Sequence, residues 1–207
     1  MHSRAAFFDS TADGYDDDPH HGVIADLLLA GLPRPAAPPR LVVDVATGTG
    51  VAAFAALRAL APARVLAVDI SPGMVERARV KAATADPEGR VEWRVAPAVP
   101  LPLPDGTADV VLCASALHFL GPAALHDWRR VLRSGGRAAF SIPAAADFRP
   151  SPAFHALVPA DLTIPADETA AARLALDAGF TDVQVTTTPA AAPDRPRRVF
   201  LVHAQVA

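Results

Sequence analysis

Asp44-Val45-Ala46-Thr47-Gly48-Thr49-Gly50-Val51-Ala52-Ala53 decides the fold of this chain. The segment leaves a short apolar, β-branched run, Arg40 to Val45, and enters an Ala- and Leu-rich run, Val51 to Ala61, that stops at Pro62. The first run suits a strand covered on both faces, and the second suits a helix. Gly48 to Ala53 fits G-x-G-x-x-A at the junction. Glycine there turns the chain tightly and lets a ligand approach the backbone. The helix start adds unpaired N–H groups and a partial positive charge. A second strand, Arg64 to Asp69, ends in a carboxylate nineteen residues beyond Gly50. From that place it can accept from two ribose hydroxyls, so the unit suits an adenosine-containing ligand. The competing account has the glycines merely turning the chain and Asp69 merely capping the next helix.

Outward from this unit the chain alternates strands and helices. Ser71 reads as an N-cap with Pro72 at the first helical position, and the helix runs to about Ala85. Strands follow at Val91 to Val95 and Ala108 to Cys113, separated by an extended loop with Pro97, Pro100, Pro102 and Pro104. A helix from Pro122 to Leu132 stops at Ser134-Gly135-Gly136, and a strand spans Arg137 to Ile142. Residues 143–166 hold five prolines and read as loop. Asp167 to Ala178 is helical and closes at Gly179, before strands at Asp182 to Thr188 and Arg198 to Gln205. An N-terminal helix is expected at Val23 to Leu29. The pattern is that of a doubly wound α/β sheet in one domain.

Composition narrows the function. The 207 residues are 51% apolar and 20% charged, with a formal net charge of −3. Cys113 is the only cysteine, which excludes an internal disulfide and argues against a cysteine-based metal site. No apolar run reaches bilayer length and the N-terminus lacks a secretory apolar run, so a cytoplasmic setting is expected. Eighteen of the 19 basic residues are Arg and Lys81 is the single lysine, a bias that points to a GC-rich genome. The one tight basic group, Arg195-Pro196-Arg197-Arg198, lies beside a strand, and no basic stripe marks a nucleic-acid partner. Asp16-Asp17-Asp18 reads as a solvated charge run, and no metal site is expected.

Asp44 separates two classes of adenosine ligand. A carboxylate at the end of the first strand faces a pyrophosphate unfavourably but suits the ammonium group of a methionine moiety. The residues favour S-adenosylmethionine over a nicotinamide dinucleotide.

The same segment resembles the first motif of the class I S-adenosylmethionine-dependent methyltransferases, particularly the ubiquinone/menaquinone-biosynthesis type and its small-molecule relatives. Phe8-Asp9-Ser10-Thr11-Ala12-Asp13-Gly14-Tyr15-Asp16 resembles their F-D-x-x-A-x-x-Y-D opening. Leu101 to Val111 resembles L-P-F-P-D-x-S-F-D-V-V, and Ala116-Leu117-His118-Phe119-Leu120 resembles A-L-H-H-L. Arg130-Val131-Leu132-Arg133-Ser134-Gly135-Gly136 resembles R-V-L-K-P-G-G, and Ala178-Gly179-Phe180-Thr181-Asp182-Val183 resembles A-G-F-x-x-V. The motifs span nearly the whole chain in order.

The resemblance implies a Rossmann-like, seven-stranded, mostly parallel sheet with its last strand antiparallel and helices on both faces. Residues 1–35 would form a helical segment covering the cofactor, and 36–207 the methyltransferase domain. Asp44, Ala46 and Gly48 would border the methionine part of S-adenosylmethionine and Gly50 would shape the turn. Asp69 would hold the ribose and Ile70 flank the adenine. Tyr15, Ala98 and Ala114 complete the expected cofactor set. Two positions depart from the family: Ala46 replaces a commoner Gly, and Ala96-Pro97-Ala98 stands where relatives carry G-D-A, without the Asp that accepts from the adenine amino group.

Methyl transfer is an in-line displacement, so positioning the acceptor supplies much of the rate. A base is needed only when the nucleophile holds a proton of high pKa. His118 is the candidate base or acceptor contact, against a reading in which it only positions backbone or packs beneath the cofactor. His20, His21, Phe119 and His155 are the further acceptor candidates; adjacency predicts that at most one of His20 and His21 reaches the pocket, and favours a surface or capping role for them. Trp93, Trp128 and Cys113 are assigned to the core. The expected partner is a small-molecule acceptor of phenolic or polyketide-like type, with no nucleic acid and no membrane, for a monomer or homodimer. Two alternatives stay open: a methyltransferase-fold protein that does not transfer methyl, and a nicotinamide oxidoreductase.

Overall fold

A computed structural model describes residues 4–189 and 197–207. Its centre is a seven-stranded sheet in the order β3-β2-β1-β4-β5-β7-β6. The strands are β1 (Leu41–Val45), β2 (Arg64–Asp69), β3 (Val91–Val95), β4 (Ala108–Cys113), β5 (Leu132–Pro143), β6 (Thr181–Thr187) and β7 (Val199–Gln205). β1 to β5 pair in parallel, and β7 runs antiparallel to both β5 and β6. The expected antiparallel last strand is therefore present. The chain order reverses at β1, which has β2 on one side and β4 on the other. Ligand crevices in such sheets form at that switch point, outside the carboxyl ends of the strands.

Side-chain alternation explains why both faces carry helices. Val42 joins one buried cluster, while its neighbour Val43 joins the other. The first cluster is closed by α2 (His20–Ala30) and α3 (Val51–Leu60), through Ile24, Leu28, Phe54 and Leu57. The second is closed by α6 (Pro122–Val131) and α8 (Glu168–Asp177), through Leu125, Trp128, Ala171 and Ala175. Successive strand residues point to opposite faces, so a continuous apolar run such as Leu41-Val42-Val43 must be covered twice. α4 (Pro72–Ala85) packs beside β2 and β3. Ser71 Oγ accepts from Met74 N at 3.1 Å at its start, as its sequence predicts. Asp167 caps α8 in the same manner, accepting from Ala170 N at 2.8 Å.

Several boundaries differ from expectation. β5 begins at Leu132, directly after α6, with Leu132 opposite Ala108 and Arg137 opposite Val110. The intervening residues bulge out of the ladder through Gly135 at φ +72°, so the glycine pair interrupts the strand instead of preceding it. Residues 143–166 contain a short helix, α7 (Pro152–His155), capped by Ser151 Oγ. α2 starts at His20, three residues early, which puts His20 and His21 in its first turn. Of the basic group, Arg195 and Pro196 lie outside the described residues.

The N-terminal segment packs on this frame as α1 (Arg4–Asp9), a 3-10 turn (Ala12–Asp17) and α2. Asp9 accepts from Ser71 Oγ at 2.5 Å and Gly73 N at 2.9 Å. Asp13 pairs with Arg77. Asp16 accepts from Thr49 Oγ1 at 2.6 Å and from Lys81 Nζ at 3.0 Å. Asp18 pairs with Arg197 at 2.7 Å. Asp16 and Asp18 are therefore latches and not members of a solvated charge run; Asp17 alone of the three stays exposed without such a role.

Candidate functional site

Asp44 ends β1 almost completely buried, 1% exposed. Burial pushes its carboxyl up to about 7, against the pull of hydrogen bonds from Thr47 Oγ1 at 2.5 Å and the Ala53 amide. The chain then turns sharply. Ala46 lies at φ +53° and Gly48 at φ +54°, both in the left-handed region. That geometry explains why glycine suits position 46 and what the alanine costs, roughly 1 kcal/mol. Gly50 is at φ +87°, and a Cβ there would stand 2.6 Å from the Trp93 ring. The expected core packing of Trp93 is thus real, against Phe54 and the Gly50 backbone.

Asp69 ties this loop to β2. Its Oδ2 accepts from Gly48 N at 2.8 Å and its Oδ1 from Ser71 N at 2.9 Å. It does hold the next helix's entrance, as the competing account requires, yet it also borders the cavity described below. Each carboxylate oxygen keeps acceptor capacity beyond one bond. Burial raises its pKa against those amide donors.

The N-terminal segment roofs the loop. The Tyr15 ring lies over Gly48, 3.4 Å from where a Cβ would sit. It stacks on His21 at 4.5 Å with planes 10° apart. Burial and the neighbouring carboxylates, Asp69 first, drive the Tyr15 phenol far above its ordinary value, so it stays protonated. Beneath the pair is a space of about 10 Å³ bordered by Asp44, Ala46, Thr47 and Ala114. That is about the room one water-sized group needs.

The main cavity, about 1130 Å³, adjoins this space and shares Tyr15, His21 and Ala46 with it. One part is bordered by Gly48, Asp69, Ile70, Pro97 and Ala98. The other is bordered by Ser115, His118, Phe119, Phe148 and Phe154. His118 follows β4 in a short helix, α5 (Leu117–Leu120), and is 8% exposed. Its ring lies 3.9 Å from Phe119 and 5.6 Å from Phe148. Burial pulls its pKa down to about 4. Phe119 continues an aromatic wall with Phe8 at 5.5 Å and Phe154 at 5.7 Å. Among the described residues, five buried side-chain polar atoms lack a partner, and three of them belong to this cavity's walls: His21 Nδ1, Ser115 Oγ and His118 Nδ1. Buried polar atoms in folded proteins are almost always paired, so such a grouping marks a place for ligand or water.

The cavity gathers Tyr15, His20, His21, Ala46, Gly48, Asp69, Ile70, Ala98, His118 and Phe119 from the expected set. Asp44 and Ala114 border the small space behind it, and Gly50 shapes the turn without bordering either. Both His20 and His21 reach the wall, contrary to expectation, because their rings diverge at 67° in the first helical turn. His155 ends α7 exposed to solvent and does not border the cavity, while its neighbour Phe154 does. Arg4, Ser115, Phe148 and Arg149 also border it; they lie in the N-terminal segment, the loop after Cys113 and residues 143–166, where a pocket is expected, though no motif singles them out. Cys113 is fully buried, and its thiol is pushed far up by that burial. Among the described residues, no three His, Cys, Asp or Glu side chains are grouped as metal ligands, and no helix is long and apolar enough to cross a membrane.

The methyltransferase-domain family matches residues 42–136, the stretch from β1 to the bulge in β5. That stretch is similar to methyltransferase domains, as the motifs of the sequence lead one to expect. The chain is 37% identical over 122 residues to a ubiquinone/menaquinone biosynthesis C-methyltransferase of Geobacter sulfurreducens, covering 56% of this chain and 48% of that protein. It is 35% identical over 142 residues to a malonyl-[acyl-carrier protein] O-methyltransferase of Methylococcus capsulatus, covering 65% and 49%. The chain thus spans about half the length of these relatives. In fold it is similar to 1,6-didemethyltoxoflavin-N1-methyltransferase of Burkholderia thailandensis, with a TM-score of 0.72, 23% identity, and coverage of 99% and 87% of the two chains.

Proposed function

We propose that this protein moves a methyl group from S-adenosylmethionine to a small-molecule acceptor. The observation that carries the proposal is the two-part cavity, at about 1130 Å³ larger than the roughly 300–1,000 Å³ of an ordinary single-ligand pocket. It joins an adenosine-suited half at the glycine loop to an aromatic half around His118. Residue chemistry supports the cofactor. The space beneath Tyr15 and His21 suits one ammonium group facing Asp44. Asp69 keeps acceptor capacity for ribose hydroxyls, and Ile70, Pro97 and Ala98 offer an apolar seat for adenine. The described N-terminal segment, residues 4–35, acts as the cover, with Tyr15 above the loop.

S-adenosylmethionine supplies a methyl group already activated on a sulfonium sulfur. The chain's part is placement. Ser115 Oγ and His118 Nδ1, both without partners, meet the polar end of the acceptor. The phenylalanine wall holds its apolar body. His118 is neutral at pH 7 and weakly basic, which fits holding a proton by a hydrogen bond better than removing it. Phenolic and polyketide-like acceptors match that wall. The relatives named above, a ubiquinone/menaquinone biosynthesis C-methyltransferase and a malonyl-[acyl-carrier protein] O-methyltransferase, support a transferase over a binding module that lacks turnover. Asp44 speaks against a nicotinamide dinucleotide, whose pyrophosphate would face a carboxylate.

Isothermal titration tests the cofactor directly. Saturable binding of S-adenosylhomocysteine is expected, while no heat at millimolar ligand, or competition by NADH alone, overturns the proposal.

A further inference from the structure

Among the described residues, four arginines border the cavity: Arg4, Arg149, Arg197 and Arg198. Two are neutralised locally. Arg197 pairs with Asp18 at 2.7 Å, and Arg198 with Asp147 at 2.6 Å. The other two form no salt bridge among the described residues. Arg4 donates to the main-chain carbonyls of Phe119 and Leu157 at 2.9 and 3.0 Å. Arg149 donates to those of Phe148 and Ala145 at 3.0 and 3.3 Å. Carbonyl bonds fix where a guanidinium sits without cancelling its charge, and they leave some of its five N–H donors for a ligand.

These bonds also say which half of the cavity the charges serve. Phe119 and Phe148, whose carbonyls hold the two guanidiniums, are the rings that flank His118. The arginines are therefore anchored to the main chain of residues whose rings form the acceptor wall. Arg4 forms no ion pair among the described residues, and Arg149 shares the field of Asp147 with Arg198, two cations to one carboxylate. A hydrocarbon surface flanked by this surplus of positive charge rejects cations and favours an amphipathic anion. The planar N–H fork of arginine matches the paired oxygens of carboxylate, phosphate or sulfonate.

We propose that the acceptor is an apolar or aromatic small molecule carrying an oxyanion, held by Arg4 and Arg149 while its hydrocarbon body lies on the phenylalanine wall. This deepens the transferase proposal and rests on it for the word acceptor, while the anion site itself can be read without any cofactor. Charge selection then acts at a point set by residues far apart in the chain, since Arg4 reaches carbonyls 115 and 153 residues away. An acceptor lacking the anion would still fit the wall but lose its anchor and its register.

A matched pair of fluorescent probes tests this on the intact protein. 1-Anilinonaphthalene-8-sulfonate carries the anion, and N-phenyl-1-naphthylamine is the same skeleton without it. Titrations are run with and without S-adenosylhomocysteine. The sulfonate is expected to bind at least about tenfold more tightly than the amine. The double variant Arg4→Gln/Arg149→Gln is expected to erase that preference by weakening the sulfonate alone. Equal affinities in the unaltered protein, or an unchanged sulfonate affinity in the variant, overturns the proposal. So does equal weakening of both probes, which would make the arginines props for the wall. Loss of the contrast with S-adenosylhomocysteine binding intact sinks the anion site only; retention of the contrast without cofactor binding sinks the transferase reading instead.

Discussion

Asp44 couples ligand binding to protons because its burial holds the carboxyl near neutrality, at about 7. An ammonium group placed in the adjoining space stabilises the ionised carboxylate, so the proposed cofactor and a proton compete for the same residue. Acid therefore weakens binding. Below about pH 7 the affinity for S-adenosylhomocysteine is expected to fall by up to about tenfold per pH unit, and above it to level off. Titration calorimetry at about pH 6 and about pH 8 measures this, and an affinity flat across that interval would rule out Asp44 as the ammonium partner. His118 leaves a different mark. With its pKa near 4, it adds no step between pH 6 and 8 to a transfer rate, so a step near the ordinary imidazole value would assign the proton chemistry elsewhere.

At the scale of elements, the N-terminal segment is joined to the sheet in two distinct ways. α2 belongs to the core, since Leu28 is 1% exposed among Ile24, Phe54 and Leu57. α1 and the 3-10 turn are held by carboxylates instead: Asp9 on Ser71 and Gly73, Asp13 on Arg77, Asp16 on Thr49 and Lys81. The two should separate on mutation. Asp9→Asn with Asp16→Asn removes charge-assisted bonds worth about 1.5–3 kcal/mol each when well shielded, and less where exposed. Faster amide exchange across residues 4–17 and weaker S-adenosylhomocysteine binding are expected, with little loss of global stability. Leu28→Ala instead leaves a core cavity and lowers global stability by about 2–5 kcal/mol. Equal global destabilisation by both variants would show that the segment folds as one unit with the core. These latches mark the limit of what the sequence discloses. Strand-loop-helix order, the cap at Ser71 and the glycine turn are local, so periodicity and residue type reveal them. Asp9 meets Ser71 across 62 residues and Asp16 meets Thr49 across 33, and nothing in an acidic run names such partners. The same holds for α7, where the choice between Phe154 and His155 as the wall residue depends on how one short turn is set against the sheet. The start of β5 escaped for a related reason: a bulge at Gly135 lets a strand continue through residues that read as a stop.

For the whole molecule, buried titratable groups oppose one another across the acid range. Burial depresses His118 from 6.5 to about 4, so between those values the folded protein binds fewer protons than the unfolded chain. Acidification through that window favours unfolding, with the full cost reached below about 4. His20, His21 and His203 are shifted the same way by burial and add to the effect. Asp44 runs opposite. Raised from 3.8 to about 7, it makes the folded state bind more protons in that interval, so its cost is full above about 7 and vanishes as pH falls. Asp69, also raised by burial, acts with Asp44. The four histidines outnumber these two carboxyls, and the native protein is expected to lose thermal stability from about pH 6.5 down to about 4. His118→Leu removes one depressed imidazole and an unpartnered Nδ1, so its stability should fall less steeply, by an amount on the order of 3 kcal/mol at the acid end. Asp44→Asn removes the opposing group. It should gain stability over the native protein at about pH 8 and lose that advantage near pH 4, which steepens its acid decline. Thermal denaturation of the three proteins at several pH values decides the matter. Parallel curves would mean that neither buried group titrates in the folded state across this range, and would also withdraw the pH dependence assigned to Asp44 in ligand binding.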